Sequence, residues 1–412
     1  MSLVFLFFFI LFIIFAWKRF FWACFLVILL LPSYLVRFSF GQIPTTFLEL
    51  MIGIIFIFWL IRLFNEDNRK LAQNRAKKLF DNHKSLLFAI GIFVIGAVIN
   101  ITISIDLRSA LGEFKAFYVE PIIFAFILYT SIEDKKQVNN LIFALVLSGF
   151  ATAILAIYQH FTGFMVPYSF WENRDTYRVT GWWGFPNGVG IYLAPIIPLA
   201  IYLFVNYKNK IIQTTSLLFV PLALLAIFYA KSTGALIGVL AGLFFLLLFN
   251  KFTKISVIIA SIAVFLFVMF APMASGIKQE ILLQDRSGQL RINMWGETVE
   301  LLRHNPIFGV GLASYQKAIY PYRIDKWIEI FHHPHNQFLT MWVNIGIVGL
   351  FGFILILFWF FKTAFKNKNI FLLSAMIVFV IIGLVDSPYI KNDMAIIFWL
   401  LPTFLLLFNE KG

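Results

Sequence analysis

The chain has 412 residues, of which 61% are hydrophobic and 19% aromatic, with a formal charge of +13. Apolar runs of about twenty residues recur along almost its whole length, which excludes a water-soluble core and predicts an all-α integral membrane protein. A single cysteine, Cys24, excludes intrachain disulfides and a cysteine-built metal site.

The first apolar block, residues 3–36, is interrupted by Lys18 and Arg19. It lacks the short apolar core and small-residue cleavage site of a secretory signal, so it reads as a retained anchor. Its front part, 3–16, is short for a span of its own and reads as half of one oblique helix or as a shallow hairpin partner. Apolar windows then predict spans near 20–36, 44–63, 85–104, 116–131, 138–160, 187–206, 211–229, 233–249, 255–273, 336–361, 369–387 and 391–408, about twelve transmembrane helices in all. The connections 65–84, 133–136, 208–210, 251–254 and 362–368 are basic and alternate with less basic ones, which assigns them to the cytoplasmic side. The positive charge is therefore a topology signal rather than a nucleic-acid footprint.

The opposite side holds a connection near Arg108, a loop at about 161–186, and a large extracytoplasmic loop, 274–335, before the third-last helix. Within that loop RSGQLRINMWGETVELLRHNP has helical spacing, with Leu290, Met294, Trp295, Val299 and Leu302 on one side and Asn305-Pro306 as the stop. The loop is thus expected to be partly helical, with an amphipathic helix over the bundle and Arg291 on its polar edge. In the following NPIFGVGLASY, Gly309 and Gly311 mark a turn; the lone GVG is no nucleotide motif.

Three of the six histidines, His332, His333 and His335, gather where that loop meets the next apolar run. His333 and His335 are two apart across a proline, so they do not share a helix face as ligands at i and i+4 do. A metal site needs a third ligand, for which His304, Asp285 and Glu297 are candidates. The cluster also fits backbone satisfaction at the membrane entry, or a functional imidazole, since His exchanges a proton near neutral pH. Arg178, in TYRVTGWWGFPNGVG, and Arg286, Arg291 and Arg303 lie on the same side; two guanidinium groups near a histidine suit a phosphate or pyrophosphate, and lipid headgroups are the competing partner. Trp182 and Trp183 fit an interfacial aromatic belt, and Asp386 and Asp393 flank the last outer turn, where solvation is the default.

These residues carry a resemblance. His335-Asn336, then nine residues, then Gly346-Ile347-Val348-Gly349 is H-N-x9-G-x-x-G, which resembles the motif of bacterial O-antigen ligases and polymerases. The R-x-x-x-W of Arg291 to Trp295 and the segment with Pro306, Gly309 and Gly311 look like the rest of that module, and R-x-x-G-x-x-x-x-P-N from Arg178 to Asn187 is similar to an upstream element. Three positions depart from the pattern: Thr233 stands where the family usually has an arginine, with Lys231 nearby as a substitute charge, and Leu350 and Phe351 replace threonines found in some ligases.

The resemblance implies N-terminal transmembrane helices over 1–228, a ligase/polymerase module over 229–361 and a C-terminal transmembrane hairpin over 362–412. It implies a GT-C type glycosyltransferase in the bacterial cytoplasmic membrane with its site facing outward. Such an enzyme moves a glycan from undecaprenyl pyrophosphate to an acceptor hydroxyl, inverting and without metal or other cofactor. Carried onto this sequence, the catalytic residues are His335, Arg291 and Arg178, with Lys231, Asn336, His333, Trp295 and Arg286 in substrate binding. The partners implied are the lipid-linked donor, a glycan or glycolipid acceptor and membrane lipids, with no nucleic acid. An O-antigen or capsule polymerase, which adds the donor to a second lipid-linked glycan, shares these motifs. A polysaccharide transporter shares the span count, but it is expected to place ionisable residues or broken helices at mid-membrane, whereas the polar residues here cluster in the outer loops. Gly346 and Gly349, three apart on one helix, leave room for another helix or the donor lipid.

Overall fold

A computed structural model describes residues 3–40, 43–173, 176–249, 278–280, 282–324, 326 and 329–409. Among them, six helices are long and apolar enough to cross a membrane: Lys84–Thr102, Lys135–Thr162, Pro186–Asn206, Lys210–Tyr229, Gln337–Lys366 and Asn392–Asn409. A seventh is added if Phe47–Arg62 and Glu66–Asn82, bent by 108° at their junction, count as one span. The chain is thus a helical membrane protein with six or seven long apolar helices among the described residues, beside shorter apolar helices that include Thr233–Leu248 and Ile370–Gly383. The predicted span 255–273 lies outside the described residues. Thr233–Leu248, with 16 residues, reaches only about 24 Å, short of a hydrocarbon core of about 30 Å.

Other departures have local causes. The first block forms two helices, Leu3–Lys18 and Phe20–Leu29, broken at Arg19, where the backbone leaves helical geometry (φ −141°, ψ 61°). The expected span 20–36 stops early: Pro32 opens a 3-10 turn over Leu31–Leu35, and Arg37–Phe40 pairs antiparallel with Ile43–Thr46 in a short hairpin. Thr46 then starts the next helix with a capping box, its hydroxyl accepting from Glu49 N while Glu49 accepts from Thr46 N. The basic stretch predicted as a loop is the helix Glu66–Asn82, because Asn65 caps it through Asp67 N and Asn68 N and strong helix formers follow.

Gln337–Lys366 is kinked at Gly346, whose φ of 66° and ψ of −179° are non-helical. The gap is filled by backbone from the preceding loop: Ile347 N donates to Ile307 O (2.9 Å), and Val310 N donates to Val343 O (2.9 Å). Beyond the kink, Gly349 faces Gly96 of Lys84–Thr102 so closely that a Cβ on Gly96 would overlap the Gly349 backbone. At Gly349 the neighbour is thus the helix Lys84–Thr102, while at Gly346 it is the backbone of Ile307 and Phe308.

Asn392–Asn409 runs through the centre, with 83% of its apolar window buried. The outer turn before it is fixed by Tyr389, which packs edge-on against Phe93, Phe353 and Phe398 at ring separations of 5.8, 5.9 and 5.1 Å. Its hydroxyl donates to Phe117 O and accepts from Trp399 Nε1, and its backbone N–H donates to Gln337 Oε1 (2.8 Å). Thr340 and Ser387 share a second tie at 2.7 Å. The turn at 384–391 is thereby locked against the start of Gln337–Lys366.

The loop helix forms as Arg286–His304, started by Asp285, which accepts from Ser287 N and Gly288 N. Its buried face is rotated from the expected one. Leu302 is buried, but Val299 is 41% exposed, and Glu297, Thr298 and Leu301 are inside instead. The cause is the segment 315–324: Tyr315 shares a hydrogen bond with Thr298, and Ile324 N donates to Glu297 (2.7 Å), which satisfies a carboxylate no periodicity count places inside.

Candidate functional site

Where Lys210–Tyr229 ends, the chain turns sharply through Ala230 and Lys231, whose φ is +47°. The last carbonyls of that helix lack intrahelical donors, and Arg178 supplies them. Its Nε donates to Ala230 O (2.8 Å) and its Nη2 to Lys231 O (3.0 Å) and Asn187 Oδ1 (3.0 Å). Across the opening, Arg291 is held by Nε to Val385 O and Nη1 to Ser287 Oγ, both at 2.9 Å. Both guanidinium groups line one cavity of about 350 Å³, with Lys231, Asn187, Glu280 and Asp386 among its other walls. The two cations feel each other: burial first, then the charge of Arg291, lowers the Arg178 guanidinium from its ordinary value, and Glu280 opposes them.

Asp386 extends the cavity wall to the histidines. It is 4% exposed. Its Oδ1 accepts from Ser387 N (2.8 Å) and faces His335 Nδ1 at 3.4 Å, while Oδ2 accepts from Asn187 Nδ2 (3.1 Å). Burial pushes its carboxyl up, but the opposing pull of His335, Lys391 and His333 is larger and holds it below the usual carboxylate range. His335 sits in the left-handed region (φ 51°) just before Gln337–Lys366, a conformation worth about 1–3 kcal/mol of strain that surrounding contacts must sustain. Asn336 caps the helix by accepting from Phe338 N and Leu339 N and donates to Leu384 O (3.0 Å), and Trp295 Nε1 donates to Pro334 O (2.9 Å).

The structure therefore brings Arg178, Arg291 and Lys231 to one cavity and His335 to its Asp386 edge. Asn336 and Trp295 act on the histidine loop from behind. His333 stacks edge-on with His335 at 4.7 Å, and burial, followed by the charges of His335 and Lys391, drives its pKa well down. Arg286 is exposed at the first turn of its helix, outside the cavity wall.

Two expectations are corrected. Asp386 and Asp393 are not solvated: Asp393 is fully buried and accepts from Trp183 Nε1 (3.0 Å). The same bond takes Trp183, 8% exposed, out of any interfacial belt. Sequence reasoning missed Asp386 and Asn187 as site residues. The available signal was an acid placed directly after a long apolar run in LVDSPY, and the amide that follows Pro186.

Ligating atoms of His333, His335 and Asp386 lie within 4.8 Å of one another, a set able to hold a divalent ion. Among the described residues, the third group beside the two histidines is thus Asp386 rather than His304, Asp285 or Glu297. Asp285 caps its helix and Glu297 holds Ile324 N.

A helical membrane protein with two arginines and an aspartate on one cavity, and a histidine against that aspartate, is the class this structure defines. Within it, residues 217–354, about a third of the chain, match the family described as O-antigen ligase, overlapping the segment that the motifs single out. A Rickettsia conorii protein named "Putative polysaccharide ligase" is 29% identical over 205 residues, 45% of this chain and 48% of that protein. A Rickettsia felis protein of the same name is 30% identical over 153 residues, 35% and 37% of the two chains. An uncharacterized Haemophilus influenzae protein is 25% identical over 269 residues, 59% and 63%. The chain thus spans about half or less of the two named relatives, and the likeness to O-antigen ligases read from the motifs is carried by the family match as well.

Proposed function

We propose that this chain is a lipid-linked oligosaccharide glycosyltransferase of the GT-C type. It transfers a glycan from undecaprenyl pyrophosphate to an acceptor hydroxyl at the outer face of the cytoplasmic membrane, inverting the anomeric carbon without a metal. The observation that carries this reading is the arrangement of Arg178 and Arg291 on one cavity whose wall continues through Asp386 to His335. The acceptor oxygen forms its bond to the anomeric carbon as the bond to the pyrophosphate oxygen breaks, and that electron pair leaves with the pyrophosphate. Arg178, Arg291 and Lys231 oppose the growing negative charge, a role for which one lost donor costs about 10²- to 10³-fold in rate. Asp386 facing Nδ1 favours the Nδ1–H tautomer of His335, so Nε2 is left to take the acceptor's proton, a contribution of about 10²- to 10⁴-fold. Arginine is suited to the donor because its fork engages two phosphate oxygens at once.

The kink at Gly346 is a broken helix of the sort a transporter uses, but its freed backbone groups bond to Ile307 and Val310 rather than lining an ion path. That supports transfer over transport. The test is purified protein in a bilayer given undecaprenyl pyrophosphate-linked glycan with either a lipid A core acceptor or a second lipid-linked glycan. Glycan on the core defines a ligase, elongated lipid-linked product a polymerase, and no transfer in either arm overturns the reading.

A further inference from the structure

One side chain joins the two halves of this site, and neither the motifs nor the comparisons give it a task. Asn187 is the second residue of the helix Pro186–Leu193, half-buried in the cavity wall. Its Oδ1 accepts from Arg178 Nη2 (3.0 Å) and its Nδ2 donates to Asp386 Oδ2 (3.1 Å). A carboxamide presents an acceptor to the cation and a donor to the anion at once, on two separate atoms. The network also fixes which way it points, since the flipped amide would set oxygen against carboxylate and NH₂ against guanidinium. Asp386 in turn faces His335 Nδ1 at 3.4 Å, a distance at which a small shift of the carboxylate decides whether a good hydrogen bond forms.

We infer that Asn187 is a positioning residue that couples occupancy of the arginine site to the setting of the Asp386–His335 pair. An anion arriving at Arg178 competes with Asn187 Oδ1 for the Nη2 protons. The amide, with its hold on the cation weakened, is freer to follow Asp386. Loading the donor's pyrophosphate thereby alters the carboxylate that orients the imidazole, two hydrogen bonds away. The groups facing Asp386 are His333 and His335 from the loop before Gln337–Lys366, Lys391 and Ser387 from its own turn, and Asn187 from Pro186–Leu193. Asn187 is the one among them that also accepts a hydrogen bond from a cavity arginine, Arg178.

The inference rests on the proposed transferase reading, and one readout is chosen to be independent of transfer. The rate at which diethyl pyrocarbonate modifies His335, followed on its own peptide by mass spectrometry at one fixed pH, is measured with and without undecaprenyl pyrophosphate. In the native protein the lipid should change this rate; in Asn187→Ala that shift should vanish while the lipid still binds. An unchanged shift in N187A, or no shift in the native protein, overturns the inference whether or not transfer occurs. With transfer active, N187A should lower kcat, and the nearly isosteric N187D, which keeps the shape but sets a second carboxylate against Asp386, should lower it too and move the acid limb of the pH–rate profile. N187A and Asp386→Ala should be non-additive by about tenfold. Rates and profiles of both variants within twofold of native, or full additivity, would show Asn187 to be a structural tie only. A native protein that transfers nothing while the His335 shift persists would count against the transferase reading alone.

Discussion

Replacing Gly346 by alanine tests how the histidine end of the site is held. At φ 66° and ψ −179° the residue occupies a region open essentially only to glycine, so a side chain there costs about 1–3 kcal/mol in backbone strain. The added Cβ would also lie 2.6 Å from Ile307 O and 3.0 Å from Phe308 Cα. Both are backbone atoms of the turn that fills the kink, so neither yields as a flexible side chain would, and overpacking adds about 1–3 kcal/mol. Together these predict a loss of about 2–6 kcal/mol, large for one methyl group. The control is Gly53→Ala, whose Cβ meets nothing within 4 Å and which should be neutral or slightly stabilising in a helix. Thermal melting of the detergent-solubilised proteins compares the two, and transfer below the melting point follows. G346A should melt well below native and G53A, and should lose activity beyond its loss of folded protein, because the kink sets the direction of the turn carrying His335 and Asn336. Equal melting of G346A and native protein would refute the strain argument.

Arg178→Lys keeps a charge but lacks the planar fork that reaches Ala230, Lys231 and Asn187. Its transfer rate should fall between native and Arg178→Ala, the latter down about 10²- to 10³-fold, as read from initial rates at saturating donor. His333 is pushed well below its ordinary value, so below pH of about 6.5 the unfolded chain binds a proton that the folded chain refuses, and stability falls as pH drops. Melting of His333→Gln should therefore depend less on pH from about 6.5 downward than native melting does, a region above that where the depressed Asp386 begins to titrate. Chelation by EDTA should leave the transfer rate unchanged; a rate lost to EDTA and restored by added zinc would mean that His333, His335 and Asp386 hold an ion.

The positions of the helices were legible because long apolar runs signal themselves, and the basic connections marked their ends. Their lengths were not. Pro32 and the break at Arg19 shortened helices whose composition alone looks continuous. The helix Arg286–His304 was legible from its spacing, but its inward face was set by Tyr315 and Ile324, partners whose approach no local pattern records. Arg291 and His335, in well-spaced motifs, and Arg178, in a looser one, could be read one by one. Asp386 could not, because a single acid in a short outer turn looks solvated until Tyr389 and Ser387 lock that turn against the next helix. Asn187 was visible only as a motif letter, since its meaning lies in two hydrogen bonds to residues far along the chain.

The most direct test of the account compares three proteins reconstituted at equal folded amounts: native, His335→Ala and Arg291→Ala. Each is given undecaprenyl pyrophosphate-linked glycan and an acceptor, and glycan transfer is measured. The native protein should transfer glycan and both variants should lose transfer; full transfer by both would refute the roles of His335 and Arg291.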